Sequence, residues 1–454
     1  MKRISVQFLT FVLLVVVVGH AVAEVKTGPL ADYVAKEDTS YAWAKRREGD
    51  VSGVKFAELI LTSQTWRGIT WKHQLFVLRP EEVEEPARGL LLISGGDWKS
   101  ELEGPADAAR DKLPPEAAIL ASTVKRLKSP VAILSHVPHQ PIFDGKVEDQ
   151  IIAYTFVEYL KSRDPEWPLL LPMTKSAVRA MDAVQEFGKK EWNLDIASFT
   201  VTGGSKRGWT TWLVGAVDPR ADAIAPIVID VLNMPVQMKH QLATWGKYSE
   251  MIDDYTKLGI QLYDETEEGK ALNAIVDPYS YRHDLSQPKL IVMGTNDRYW
   301  PLDALNIYWN DLSGEKYILY IPNNGHGVND VARLTGSIGA LHRKAAGRLQ
   351  LPKLTWDMAE ANGRLRLAVR SDIAPKEVAA WTSAASTRDF RDVKWTSQPA
   401  ELVDGAHRYE LPVPEQGFAA MFGEAVYEQD GLKYYLSTNV KIVGSKQAAT
   451  VNAN

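Results

Sequence analysis

Between residues 199 and 209 the chain reads Phe199-Thr200-Val201-Thr202-Gly203-Gly204-Ser205-Lys206-Arg207-Gly208-Trp209: an apolar β-type run, a Gly-x-Ser turn, then residues suited to a helix. A strand that passes at once into a helix packs best when the helix returns over a sheet covered on both faces, so this stretch argues for an open α/β architecture. The surrounding sequence agrees. Residues 89–94 and 131–135 are short continuous apolar runs bounded by Gly or Pro, as expected of strands buried on both faces. Ala177, Met181, Val184 and Phe187 recur at spacings of three and four and mark a helix face that should end near Gly188. Further strands are read at 198–202, 223–229, 289–293 and 316–321 with helical stretches between them, which gives a doubly wound, mostly parallel α/β sheet. Upstream, 55–63 and 69–78 form a hairpin around 64–68, preceded by a polar, mixed segment at 24–50.

Two regions depart from this rhythm. Residues 235–285 carry Trp245, Tyr248, Tyr255, Tyr263, Tyr279 and Tyr281 among acidic residues and read as a helical cap inserted into the α/β unit, which spans 24–350. Beyond Leu351-Pro352, runs at 354–358, 364–369, 378–383, 407–411, 418–427 and 432–440 are separated by Gly, Pro and Asp turns. They predict an all-β, immunoglobulin-like sandwich over 351–443, with a tail at 444–454.

Composition narrows the chemistry. Of 454 residues, 45% are hydrophobic and 24% charged, the balance of a globular chain with a sizeable core. The 52 Lys+Arg against 57 Asp+Glu give a net charge of -5, which argues against a nucleic-acid partner, since phosphates call for a basic face. Cysteine is absent, so a nucleophile must be an oxygen or an amine and thiolate metal sites are excluded; no cofactor is implied. Lys2 and Arg3, the apolar run through Phe8, Leu9 and Val12 to Val18, and the small-residue site Ala21-Val22-Ala23 read as a cleaved signal peptide over 1–23. A membrane anchor is the other reading, but the run is shorter than the ~20 residues needed to span a bilayer. Cleavage removes two positive charges and no acids, leaving a mature chain of charge -7 bound for the periplasm or the exterior, with no stable anchor.

The Gly-x-Ser turn between strand and helix has the context of a nucleophile elbow, in which small neighbours let a serine take a strained, exposed position above a sheet. The usual G-x-S-x-G is altered: Arg207 stands two after the serine and glycine comes at Gly208. A simple glycine turn and a phosphate-cradling loop are the competing readings, and the second lacks the G-x-x-x-x-G-K-[ST] spacing. A serine hydroxyl needs a histidine base oriented by a carboxylate, and in α/β-hydrolases these follow in the order Ser, Asp or Glu, His, on loops after later strands. The strand at 289–293 ends in Gly294-Thr295-Asn296-Asp297 and the strand at 316–321 ends in Asn323-Asn324-Gly325-His326-Gly327, both at carboxyl ends of strands. Ser205, Asp297 and His326 are thus the candidate nucleophile, orienter and base. For the oxyanion, the backbone N–H of Lys206 is the first donor, and the loop Ser94-Gly95-Gly96-Asp97-Trp98 is nominated for the second through Gly95 and Gly96. Lys206 could also bring its ammonium to the oxyanion or to a substrate carboxylate, or face solvent.

Other patterns fail on context. His136 and His139 form H-x-x-H without an acidic helix, a poor metal match. Ser122 and Lys125 fit S-x-x-K but lack a partner motif. Asp230 and Asn233 line the pocket or cap a helix.

Gly-Gly-Ser-Lys-Arg-Gly-Trp-Thr-Thr-Trp at 203–212, Val-Ile-Asp-Val-Leu-Asn at 228–233, Gly-Thr-Asn-Asp at 294–297 and Asn-Gly-His-Gly at 324–327 resemble the PhoPQ-activated pathogenicity-related family, over about residues 30 to 440. The resemblance implies an α/β-hydrolase fold with Ser205, Asp297 and His326 as its triad, and names no substrate. The elbow is also similar to that of glucuronoyl esterases, where an arginine follows the serine and assists the oxyanion; Lys206, a point charge and not a planar fork, stands there instead. The expectation is an exported serine hydrolase acting on an ester or amide of a small-molecule, peptide or carbohydrate substrate. A non-catalytic secreted binding or signalling protein on the same fold is the alternative. Trp98, Trp209, Asp230, Trp245 and Trp300, with the cap tyrosines, are expected to line the substrate pocket.

Overall fold

The computed structural model describes residues 27–84, 86–107 and 111–444; the expected signal peptide and tail lie outside them, apart from Gly444. Three antiparallel strands, β1 (Ala42–Val51), β2 (Val54–Trp66) and β3 (Ile69–Arg79), open the chain, followed by β4 (Ala87–Ile93), β5 (Val131–Leu134), β6 (Ile196–Gly204), β7 (Ala221–Ile227), β8 (Lys289–Gly294) and β9 (Lys316–Ile321). They line up as β1-β2-β3-β5-β4-β6-β7-β8-β9, antiparallel up to the β3–β5 pair and parallel from there to β9. This is the α/β-hydrolase arrangement. Every residue of β5 and β8 is buried, because helices cover both faces, and continuous apolar runs are what such strands require. The strand order reverses between β4 and β6, so the loops at their carboxyl ends, 94–98 and the turn at Ser205, flank the crevice where open sheets place ligands.

β1 was hidden in the polar segment at 24–50. Its sequence, AWAKRREGDV, carries charges that a strand accepts here because they are paired: the Glu58 carboxylate, fully buried on β2, takes Arg46 at 2.9 Å and also Arg47, and Arg46 reaches Asp111 at 2.5 Å. The helix read to stop near Gly188 runs on as Leu170–Trp192 and ends at Asn193, in the left-handed conformation. Gly188 is there for packing, since a Cβ would stand 3.2 Å from the Leu194 carbonyl oxygen.

Residues 235–285, read as the cap, are rich in helix and several of them line the cavity described below, with Met234–Trp245 and Glu267–Val276 as the longer helices. Asp277 pins the first of these: its carboxylate accepts the N–H of Met234 (2.8 Å), Asn233 (3.3 Å) and Tyr279 (2.9 Å). The C-terminal region contains β10 (Leu354–Ala361), β11 (Arg364–Ser371), β12 (Glu377–Ala385), β13 (Thr396–Pro399), β14 (Glu401–Val403), β15 (Ala406–Pro412), β16 (Phe418–Gln429), β17 (Leu432–Ser437) and β18 (Lys441–Gly444). One sheet has the order β10-β11-β15-β14; β17, β16, β12 and β13 form the facing layer, with β18 on β16. Leu365, Leu367 and Val369 of the first layer share a core with Ala380, Met421 and Ala425 of the second. That second layer is not free-standing. β17 pairs with β9 through Ser437 and Ile318, so a single 14-stranded sheet runs from the α/β unit into the sandwich and covers the edge that β9 would expose.

Candidate active site

The site is built on the ends of β6, β8 and β9. Ser205 leaves β6 with φ 58° and ψ −130°, a strained conformation for a non-glycine residue, held by its N–H to the Ile227 carbonyl (2.9 Å) and by the helix Lys206–Val217 that starts at the next residue. The unusual spacing of the turn now has a reason. A Cβ at Gly203 would meet the Arg207 carbonyl oxygen at 2.8 Å, and one at Gly208 would meet the Gly203 and Ile227 carbonyl oxygens, both at 2.9 Å. The tight approach of helix to strand falls three residues after the serine, so Arg207 is free to occupy the place that glycine usually takes.

Asp297 follows β8 and His326 follows β9. The His326 Nδ1 donates to Asp297 Oδ2 at 2.9 Å, while Oδ1 of the same carboxylate accepts the Tyr299 N–H at 2.9 Å, and the Tyr299 ring stacks on the imidazole with centroids 4.1 Å apart. The other imidazole nitrogen, Nε2, is buried and finds no hydrogen-bond partner among the described residues. With Nδ1 carrying the proton, Nε2 keeps a lone pair. His326 and Ser205 line one cavity. A serine on a strained turn, sharing a cavity with an imidazole whose far side is held by a carboxylate, is an arrangement in which the hydroxyl can be deprotonated as it attacks.

Beneath the serine lies an ionic cluster. Glu148 accepts both guanidinium nitrogens of Arg207 (2.7 and 2.6 Å) and the Lys206 ammonium (2.7 Å); Lys206 also reaches Asp149 at 3.1 Å, and Arg207 Nε donates to the Val137 carbonyl at 2.5 Å. Burial alone would raise the Glu148 carboxyl, but the two cations hold it down at about 2. This cluster alters two expectations. The Lys206 ammonium is committed to Glu148 and Asp149, while its backbone N–H, at the first turn of a helix, is a donor without an intrahelical acceptor. Gly95 does not line the Ser205 cavity; it makes room for the Arg207 guanidinium, which a Cβ would strike, and Gly96 (φ 112°) packs against His136. Replacing Arg207 by methionine should therefore cost about 3 kcal/mol or more, because Glu148 loses its bidentate partner and the Val137 carbonyl is orphaned. Urea unfolding measures this, and Arg207→Lys should lose less.

Trp209 and Trp300 line the cavity; the Trp209 Nε1 donates to the Val276 carbonyl at 2.6 Å. Trp98 and Trp245 do not. Trp98 packs on His136 and His139 with centroids 5.6 and 5.9 Å away, and Trp245 lies under the Arg391 guanidinium at 4.2 Å. Of the cap rings, Tyr255 alone lines the cavity, its hydroxyl donating to Asp149 at 2.8 Å; Met234, Met238, Ile252 and Ile260 join it, with Thr256, Gln261 and Asp264. Asp230 and Trp245 line a smaller adjoining cavity with Asp297 and Trp300; Asp230 is buried beside the Tyr308 hydroxyl, and burial, reinforced by the charges of Asp297 and Asp303, pushes its carboxyl up to about 7. His136 and His139 hydrogen-bond Gln74 and the Lys72 carbonyl, and among the described residues no group of three His, Cys, Asp or Glu is placed to hold a metal. Lys125 donates to the Ser52 carbonyl at 2.6 Å on the protein surface.

The family profile described as PhoPQ-activated pathogenicity-related protein matches residues 30–391. The chain is 32% identical over 451 residues to autocrine proliferation repressor protein A of Dictyostelium discoideum, an alignment that covers 91% of this chain and 89% of that one. Among solved structures it is similar to an acetyl xylan esterase from Paenibacillus sp. R4 (TM-score 0.49, 11% identity, 70% of this chain and 92% of that one). It is also similar to acetyl xylan esterase 1 from Thermoanaerobacterium sp. JW/SL YS485 (0.45, 14%, 66% and 87%) and a glucuronoyl esterase from Solibacter usitatus (0.40, 11%, 67% and 88%).

Proposed function

Since the chain belongs to the PhoPQ-activated pathogenicity-related family, whose description names no reaction, we propose from the chemistry of its site that it is an exported serine hydrolase that cleaves an ester or amide bond through an acyl-serine intermediate. The observation that carries the reading is the Asp297–His326 hydrogen bond, which leaves an unpartnered Nε2 on the wall of the cavity that Ser205 also lines.

In this mechanism Ser205 Oγ attacks the acyl carbon as His326 Nε2 takes the hydroxyl proton, and the new imidazolium is stabilised by Asp297. The tetrahedral oxyanion takes the Lys206 N–H. Its collapse breaks the bond to the leaving group, which departs with the proton from Nε2. Water, deprotonated by the same nitrogen, then releases the acid and regenerates Ser205. The leader at 1–23 delivers the enzyme to the periplasm or beyond.

A second reading, a secreted non-catalytic binding or signalling protein, draws on the relative named for repressing proliferation. The two separate on a panel of activated esters and aminoacyl anilides: turnover by the purified mature chain supports the hydrolase, and absence of turnover on every substrate supports the binder.

A further inference from the structure

The wall of the Ser205 cavity is almost wholly apolar, with Phe156, Ile229, Met234, Met238, Ile252 and Ile260 prominent in it. Its charges are few and of known disposition. Lys206 is the only lysine or arginine lining it among the described residues, and that ammonium is spent on Glu148 and Asp149. Two carboxylates, Asp149, which shares the Lys206 ammonium, and Asp264, also line it, so an incoming anion would find no uncommitted cation and the negative charge of Asp264. Drawing Lys206 away to greet such an anion would leave Glu148 and Asp149 short of a partner in a poorly solvated place.

Exposed apolar residues neighbour the lining in the chain. Ile260 and Gln261 line the cavity, and beside them on the same short segment Leu262 is 77% exposed, with Leu258 at 52% and Tyr263 at 42%. Exposed apolar side chains on the segment that supplies two of the lining residues offer apolar surface beside the cavity.

We infer that the site takes neutral, apolar acyl groups, aliphatic chains of several carbons or aromatic rings, and turns away acyl groups that end in a carboxylate. The inference rests on the hydrolase reading for which bond is cut, while the selectivity belongs to the cavity and can be read separately. Each buried methylene contributes about 0.8 kcal/mol, or up to about fourfold in kcat/KM, so the gain from acetate to hexanoate should exceed about tenfold.

The test pairs turnover with binding. For the mature chain, kcat/KM is measured on p-nitrophenyl acetate, butyrate and hexanoate and on the p-nitrophenyl monoester of adipic acid, which matches hexanoate in length but ends in a carboxylate. In parallel, Ser205→Ala is titrated with hexanamide and with adipamate by calorimetry. The expected result is a rise from acetate to hexanoate and a preference of about a hundredfold for hexanoate over adipate, the order of placing a carboxylate without a cationic partner against an apolar wall; hexanamide should likewise bind better than adipamate by tenfold or more. Asp149→Asn, which removes one negative charge and loosens Lys206, should narrow the preference by about tenfold, and Asp264→Asn should narrow it too if the first variant melts early. Acetate as the best ester, or adipamate binding as well as hexanamide, would overturn the inference. Hexanamide selectivity in a protein that turns over no ester would instead overturn the hydrolase reading and leave the cavity's preference standing.

Discussion

Replacing Ser205 by alanine is expected to lower kcat on any substrate of this protein by about 10⁶-fold, and His326→Ala by about as much. The two effects should not add. Once the hydroxyl is gone the imidazole has no proton to take, and once the imidazole is gone the hydroxyl is a poor nucleophile, so the double variant should be no slower than either single one. What remains comes from the cavity and the oxyanion donors alone. Single-turnover and steady-state rates of the three variants decide the matter. Losses that multiply would show two groups acting independently and would remove the serine–histidine couple from the mechanism.

Asp297→Asn carries the second large effect, a loss of about 10³- to 10⁴-fold in kcat with the fold retained. Asparagine has the size and one acceptor oxygen of aspartate, so the Tyr299 N–H can keep its partner. The other arm changes from acceptor to donor. An amide N–H facing His326 Nδ1 favours the tautomer that carries its proton on Nε2, and that nitrogen can then no longer receive the proton of Ser205. Rates within about tenfold of the parent would point to another carboxylate, and Asp230, which lines the adjoining cavity with Asp297, is the first to examine.

The reach of the sequence follows from where each signal originates. The placement of Ser205, Asp297 and His326 just past strand ends was legible because each follows a largely buried apolar run, and such runs announce their own carboxyl ends. The cluster that supports the serine was not. Arg207 and Glu148 are 59 residues apart, and no periodicity links a turn to a distant loop. β1 escaped because its charges are satisfied by Glu58 and Asp111, partners that only the folded sheet supplies. Trp98 was drawn to the pocket by closeness to a motif loop, and Trp245 by its place in the cap, yet which way a ring points is set by the backbone of its turn: Trp98 packs on His136 and His139, and Trp245 lines the adjoining cavity. The aliphatic lining was present all along in Met234 and Met238, four apart on one helix, but such a pair reads as ordinary core until a cavity opens beneath it. The strand pairing that joins sandwich to sheet is one residue pair long, Ser437 and Ile318, too little for any pattern to reveal.

The central claim, that Ser205 is a nucleophile activated by His326, is tested most directly by covalent capture. The purified mature chain is incubated with an alkyl fluorophosphonate and examined by intact mass and peptide mapping. The account predicts one adduct per chain, located at Ser205, with labelling lost in Ser205→Ala and strongly slowed in His326→Ala, while both variants melt close to the parent. A folded parent protein that takes up no phosphonate, or takes it up at another residue with Ser205 unmodified, would contradict it.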